Sequence, residues 1–309
     1  MNTLKVIFMG TPDFAVPSLE ILLKNNINVV AVVTAPDKPQ GRGRKVQLSP
    51  VKQCALKNGI TVLQPTNLKH PEFLNRLDEI GANLQIVVAF RMLPEVVWSR
   101  PGFGTFNLHA SLLPQYRGAA PINWAIINGE TETGVTTFFL THQIDTGNII
   151  FQEKELISES DNAGMLHDRL MVRGAELVLK TVKAIETGQC QAIPQIASGD
   201  LKHAPKIFKE TCEINWNQPA QTVRDFIRGL SPHPGAWTSI HGRIYKIFDG
   251  KILALEDEEA PDFEQGKFKT DNEDYLWFKT EDEVFSVTRL QPEGKKQMDV
   301  KDFFRGNKL

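Results

Sequence analysis

The chain has 309 residues, 41% of them hydrophobic and 23% charged, with 35 Lys and Arg against 37 Asp and Glu. This composition is that of a globular protein with chain enough for two domains, and it excludes wholesale disorder. A net charge of −2 excludes a uniformly basic nucleic-acid coat and a polybasic membrane binder, though not a local basic patch. The three cysteines, Cys54, Cys190 and Cys212, are far apart and form no CxxC pair. That argues against a structural zinc site or a disulfide framework, and for a reducing, cytoplasmic compartment. No metal is expected. The apolar run at residues 6–9 is too short for the core of a secretion signal, and no stretch approaches the roughly 18 apolar residues of a spanning helix.

In chain order, Val6, Ile7, Phe8 and Met9 predict a strand closed by Gly10-Thr11-Pro12. Phe14, Leu19, Leu22 and Leu23 then recur at helical spacing, with Pro17 in the first turn. Residues 29–33 and 86–90 are apolar runs that fit strands buried on both faces. Strands alternating with helical patterns over the first ~110 residues predict βαβ units and a parallel sheet. Residues 161–186 follow a helical pattern suited to covering that sheet. Residues 219–230 read as one helix, and short apolar runs at 244–248, 252–255, 275–278 and 284–290 predict a small β-barrel. The acidic cluster 256–259 reads as a solvated loop. The expected fold class is α/β: a Rossmann-like, mostly parallel sheet domain over residues 1–203, a linker at 204–208, and the barrel over 209–309.

Gly10 sits where a dinucleotide-binding protein carries GxGxxG, but Gly10-Thr11-Pro12-Asp13-Phe14-Ala15 has one glycine, and no Walker pattern occurs. Pro12 lacks the N–H a phosphate cradle would use. A tight turn between strand and helix is the better reading.

The densest chemical signal is residues 105–118. On a strand, Asn107 and His109 share one face while Phe106 and Leu108 take the other. An amide and an imidazole then lie side by side at the C-terminal end of a strand, where open α/β sheets bind ligands. A buried structural Asn–His pair fits the same spacing. Asp145, in Gln143-Ile144-Asp145-Thr146-Gly147, is also an ordinary turn residue. Its value depends on meeting His109, where a carboxylate would fix the tautomer and raise the basicity of the ring. Together the three suit acyl transfer to an amine: Asn107 holding the oxyanion, His109 polarising the carbonyl or moving a proton, and Asp145 orienting His109.

Asn107-x-His109, Ser111-Leu112-Leu113-Pro114-x-x-Arg117-Gly118-x-Ala120-Pro121 and Asp145-Thr146-Gly147 resemble the 10-formyltetrahydrofolate-dependent formyltransferases. Ala120-Pro121 with Gly134-Val135-Thr136 narrows the resemblance to the methionyl-tRNA formyltransferase family. It covers essentially the whole chain, including Ala35-Pro36-Asp37-Lys38-Pro39, Arg228-Gly229-Leu230 and residues 290–296. The resemblance implies an enzyme that takes a formyl group from 10-formyltetrahydrofolate, its donor co-substrate, and places it on initiator methionyl-tRNA. It implies catalytic roles for Asn107, His109 and Asp145, and folate contacts from Ser111, Leu112, Leu113 and Pro114 and from the strand end Val88, Ala89 and Phe90. It further implies an OB-like C-terminal barrel that helps hold tRNA, with no membrane and no obligate protein partner. Arg91 stands where many relatives have Gly, His142 lies in a segment that departs from the family pattern, and Asn215 replaces a more common Asp. His142 is either a second imidazole near the site or an exposed turn residue. Transfer to an amino sugar or amino-nucleotide, or a non-catalytic RNA-binding module, are the rival functions.

Residues 37–52 carry Lys38, Arg42, Arg44, Lys45 and Lys52 against Asp37, a net of +4 in sixteen residues. A solvated charged loop is the bland alternative. The position after a parallel strand, and the match to the family's tRNA-contacting insertion, assign Lys38, Arg42, Arg44 and Lys45 to tRNA phosphates. Residues 207–309 carry a net of −4, so the barrel has no bulk positive charge.

Overall fold

The computed structural model describes residues 4–40, 45–196, 199–254 and 263–309. The chain forms two compact units: Met1–Gly118, Thr133–Glu155 and His167–His203 in the first, and Ala119–Glu132, Leu156–Leu166 and Ala204–Leu309 in the second.

The elements begin with β1 (Val6–Gly10), a 3-10 turn (Asp13–Ala15), α1 (Val16–Lys24) and β2 (Val29–Val33). There follow β3 (Lys38–Gln40), β4 (Lys45–Gln47), α2 (Pro50–Lys57), β5 (Thr61–Leu63), α3 (Pro71–Ile80), β6 (Leu84–Val88), α4 (Glu95–Trp98) and β7 (Thr105–His109). Then come β8 (Arg117–Gly118), α5 (Pro121–Ile127), β9 (Glu132–Phe139), β10 (Ile149–Leu156) and α6 (Ala163–Glu186). A seven-stranded sheet runs β10-β9-β7-β6-β1-β2-β5. From β7 through β5 every neighbour is parallel, and β9 joins β7 antiparallel. The sheet is therefore mixed. β1 feeds β2 on one side and β6 is inserted on the other, so chain order reverses at β1/β6, the switch point at which such sheets open a crevice.

β1, β2 and β6 are apolar because both faces are covered. Ile7, Met9, Ala31, Val33 and Val87 pack with Phe73 and Leu77 of α3 and Val97 of α4. On the other face α6 lies against β7 and β9, where Thr181 meets the Thr137 hydroxyl at 2.8 Å. A Cβ on Gly174 would sit 2.7 Å from Leu108 Cδ2, so only glycine permits this approach. Arg169 and Arg173 of α6 grip Glu155 of β10 at 2.9 and 2.6 Å. Burial alone would raise this carboxyl, but the two guanidiniums outweigh it and hold it below the usual range.

The expected strand at 86–90 ends earlier, at Val88, because Ala89 turns left-handed at φ 47°. Within 37–52, expected as one flexible loop, residues on each side of its centre pair as the β3–β4 hairpin, Lys38 opposite Gln47 and Gln40 opposite Lys45. Arg42 and Arg44 lie outside the described residues. So does the acidic cluster 256–259. Gly10 is the last residue of β1, in register with Val88 of β6.

After β11 (His203–Ala204) come α7 (Ala220–Leu230), β12 (Ala236–Ile240), β13 (Arg243–Leu253), β14 (Phe268–Thr270), β15 (Leu276–Lys279), β16 (Val284–Pro292), β17 (Met298–Asp299) and α8 (Val300–Phe304). The strands form an antiparallel sheet, β12-β13-β16-β15-β14 with β17 on β16, curled into a half-barrel. Among the described residues no pairing closes β12 on β14. The two runs at 244–248 and 252–255, expected as separate strands, belong mostly to the single strand β13. Asp249-Gly250, a turn signal in sequence, is absorbed as a bulge where the register to β16 shifts, and Asp249 Oδ1 accepts the Gly250 N–H at 2.9 Å. Trp216 stacks on Phe278 at 3.8 Å in the core beneath.

α7 has Pro219 at its N-cap and so no side-chain cap of its own, and Asp282 Oδ1 accepts the Ala220 N–H at 2.8 Å instead. Burial raises this carboxyl, but the N–H groups around it outweigh that and lower its pKa. A lowered carboxyl contributes stability above its unfolded pKa and loses it as pH falls through the folded one. Asp282→Ala is therefore expected to cost about 1 kcal/mol in urea unfolding at pH 7, with the difference shrinking as pH falls below the ordinary carboxylate range and through the lowered pKa.

Candidate active site

β7 carries both halves of the expected pair. His109 is buried, and its Nε2 lies 2.8 Å from the Tyr116 carbonyl oxygen. A carbonyl only accepts, so Nε2 carries the hydrogen and Nδ1 faces the other way. There it meets Asp145, with Oδ2 at 3.9 Å. The carboxylate thus stands beside the imidazole, but the gap exceeds a hydrogen bond. The tautomer is fixed by Tyr116 rather than, as expected, by Asp145. The same Asp145 oxygen accepts the Gly118 N–H at 2.9 Å. Asn107 is half-buried two residues before His109, and its side-chain amide makes no hydrogen bond to the described protein. That leaves its donors available at the strand's C-terminal end. Phe138, across on β9, presents its ring edge-on to His109 at 6.5 Å.

The segment after β7 folds back because its polar groups are hooked from two directions. The buried Ser111 donates its hydroxyl to the Gln115 carbonyl at 2.7 Å. Thr136, directly opposite His109 on β9, donates to the Ser111 carbonyl at 2.6 Å and accepts from Leu113 N–H at 3.3 Å. Gln152 of β10 donates to the Leu113 carbonyl at 2.8 Å. Leu112 and Pro114 are half-buried, Leu113 is buried, and the Leu113–Pro114 peptide is cis. Thr136 and Gln152 were not among the residues singled out for a role. Thr136 stands beside Thr137 in β9 and Gln152 heads the polar run Gln152-Glu153-Lys154-Glu155 of β10, and their bonds to the 111–113 segment span 23 or more positions of chain.

Asp145 sits in the left-handed region at φ 54°. The backbone beyond it passes so close to β9 that a Cβ on Gly147 would overlap the Phe139 carbonyl, which explains the glycine of Asp-Thr-Gly. Thr146 donates to the Gln143 carbonyl at 3.0 Å. Gln195, fifty positions on, donates to the carbonyls of both Asp145 and Gly147 at 2.9 Å and accepts from Arg117 Nη2 at 2.6 Å.

At the switch point, Val88 is buried, Ala89 exposed and Phe90 half-buried. Arg91 donates to the Thr66 carbonyl at 3.0 Å and to that of Pro65, and its guanidinium lies 5.7 Å from the Phe90 ring centre. His142 is 72% exposed, 3.2 Å from Glu95 and edge-on to Trp98, which fits the exposed turn residue. Lys38 and Lys45 belong to the β3–β4 hairpin. Lys52 is bonded to Asp37 at 2.5 Å and Gln64 at 2.7 Å at the foot of that hairpin, so its charge is already matched. Among the described residues no group of three His, Cys, Asp or Glu side chains could hold a metal ion.

An amide, an imidazole of fixed tautomer and a facing carboxylate thus stand together on a mixed sheet, groups of the kinds that acyl transfer uses. A family model described as formyl transferase matches residues 4–182, and one for the formyl transferase C-terminal domain matches residues 206–308. The methionyl-tRNA formyltransferase of Bacteroides fragilis is 53% identical over 311 residues, covering 98% of this chain and 95% of that protein. That of Parabacteroides distasonis is 53% identical over 316 residues, covering 99% and 96%, and that of Flavobacterium johnsoniae 50% over 310, covering 99% and 97%. The chain belongs to the methionyl-tRNA formyltransferase family.

Among solved structures, an N-formyltransferase from Helicobacter canadensis, determined with folinic acid and dTDP-3-aminofucose, is 22% identical. It covers 92% of this chain and 99% of that one, with a TM-score of 0.66. HypX from Aquifex aeolicus, determined with tetrahydrofolic acid, is 17% identical with a TM-score of 0.65 over 98% of this chain. The match spans 48% of HypX, about half its length. These two likenesses are of fold.

The Gly147 contact is testable. Gly147→Ala forces the loop off β9 and is expected to cost about 1–3 kcal/mol of stability, read by urea unfolding. Wild-type stability would show that the loop has room there.

Proposed function

We infer that this protein transfers the formyl group of 10-formyltetrahydrofolate to the α-amino group of initiator methionyl-tRNA, giving formylmethionyl-tRNA for translation initiation. What carries the inference is the meeting of His109 and Asp145 across 3.9 Å, beside an unengaged Asn107 amide, in a chain about half identical along its length to proteins of that name. The amino-sugar enzymes share the fold at far lower identity, which favours tRNA as acceptor.

The chemistry is addition and elimination at the formyl carbon. The amine lone pair forms the new C–N bond, and the carbonyl oxygen becomes an oxyanion. Asn107 donates to that oxyanion from its strand position, and His109, whose Nε2 hydrogen is held by Tyr116, carries the proton on Nδ1 and supports the oxyanion only once the ring is charged. The amine must lose a proton, and Asp145, 3.9 Å from Nδ1, leaves space for that proton to enter between carboxylate and imidazole. The C–N bond to the donor then breaks, its nitrogen takes up a proton, and tetrahydrofolate departs. Ser111, Leu112, Leu113 and Pro114, held by Thr136 and Gln152, form one wall of the folate site, and Val88, Ala89 and Phe90 form the other. The left-handed Ala89 turns the backbone after β6 at the switch-point crevice, which supports a wall built from main-chain groups.

Residues 1–203 carry the chemistry, 204–208 link, and 209–309 form an OB-like domain that helps hold tRNA. Lys38, Arg42, Arg44 and Lys45 contact tRNA phosphates, while Lys52 and Asp37 neutralise each other at the hairpin's foot. No helix among the described residues is long and apolar enough to cross a membrane, and initiator tRNA places the reaction in the cytoplasm.

With charged initiator tRNA and the formyl donor, Asn107→Ala, His109→Ala and Asp145→Asn are each expected to lower kcat by about a hundredfold or more, read as the formyl mass gained by methionine released from the tRNA. Full turnover in any one removes that residue from the mechanism. Arg42→Ala is expected to raise KM for tRNA, with the difference from wild type narrowing as salt rises, and to leave donor KM unchanged. Equal changes for both substrates would dissociate the hairpin from tRNA.

A further inference from the structure

Gln195 reaches the site from a segment that takes part in none of the steps above. Ile193 pairs antiparallel with Ile149 at the start of β10, with N–H to carbonyl distances of 2.8 and 2.9 Å. Antiparallel register then sets Gln195 level with Gly147. Its amide is fully used. Nε2 gives its two hydrogens to the carbonyls of Asp145 and Gly147, both at 2.9 Å. Oε1 takes Nε and Nη2 of Arg117 at 3.2 and 2.6 Å. Two carbonyls only accept and a guanidinium only donates, so one orientation of the amide satisfies all four bonds.

We propose that Gln195 is a positioning residue for formyl transfer: its amide latches the loop bearing Asp145 and so sets the reach from that carboxylate to His109. The proposal rests on the catalytic role given to Asp145. A non-glycine residue at φ 54° keeps that conformation only where its surroundings impose it. On one side the loop is pressed against the Phe139 carbonyl at Gly147. On the other, Gln195 grips it at the carbonyls flanking Thr146. The carboxylate itself is held by the Gly118 N–H at 2.9 Å, the residue after Arg117, which the same glutamine binds. One side chain thus ties together the two segments that aim Asp145.

Gln195→Glu separates this role from simple packing. The carboxylate keeps the acceptor that Arg117 needs and adds an ion pair, but it turns oxygen toward two carbonyl oxygens and supplies no hydrogen. Gln195→Met removes both donors without adding charge and serves if the Glu variant does not fold. For the full-length enzyme with charged initiator tRNA and formyl donor, each variant is expected to lose about ten- to a hundredfold in kcat, the scale of a sub-ångström to ångström misplacement. Donor KM stays within about twofold, and thermal unfolding stays close to wild type. Wild-type kcat in a folded variant would overturn the latch. So would a kcat loss matched by an equal rise in donor KM, which marks general distortion. Asp145→Asn measured alongside separates the two assignments. If it retains full turnover, the role of Asp145 falls and the latch with it. If it is inactive while the Gln195 variants are fully active, the latch alone falls.

Discussion

The hydrogen bond from His109 Nε2 to the Tyr116 carbonyl closes a seven-residue excursion of the chain onto the strand it has just left. An imidazole has two nitrogens and opposite needs at each. With one committed to a carbonyl, the other must face the loop after β9, and the whole site takes its polarity from that choice. The excursion can return to His109 only because Ser111 bonds Gln115, and because Thr136 reaches over from the neighbouring strand. The segment proposed as a wall of the folate site is therefore the same piece of chain that fixes the imidazole.

The sheet supplies what that arrangement needs. β7 is parallel to β6 and antiparallel to β9, so its C-terminal end is bordered by the end of β6 and the beginning of β9's course. His109 lies opposite Thr136 and Asn107 opposite Phe138. Reactive and supporting groups are thus set by strand register, which is stiffer than loop conformation. Asp145 comes from a loop, and it is there that side chains from distant segments converge.

Much of this was legible in the residues. β2 falls at Val29–Val33 as read, since β-branched residues covered on both faces admit few alternatives. The helix read at 161–186 is Ala163–Glu186. The shared face of Asn107 and His109 follows from alternation alone. The distance from His109 to Asp145 does not, because it is set by thirty-five residues of intervening chain. Gln195 and Gln152 carry no such signal for a related reason: neither lies in a motif with a chemical role, and the carbonyls they hold lie 39 to 50 positions away in sequence. The end of β6 was misjudged because Ala89 takes a conformation usually signalled by glycine or asparagine. Asp249-Gly250 misled in the opposite sense, as turn residues spent on a bulge within one long strand.

Behind the sheet, Gly174 of α6 leaves no room for a methyl against Leu108, the residue between Asn107 and His109. A buried helix position therefore has its amino-acid alphabet restricted by the strand that bears Asn107 and His109. The steric limit set by β7 thus reaches through the thickness of the sheet to the helix behind it. Adding volume to α6 at this point means moving β7, and with it the spacing of the two side chains that flank Leu108.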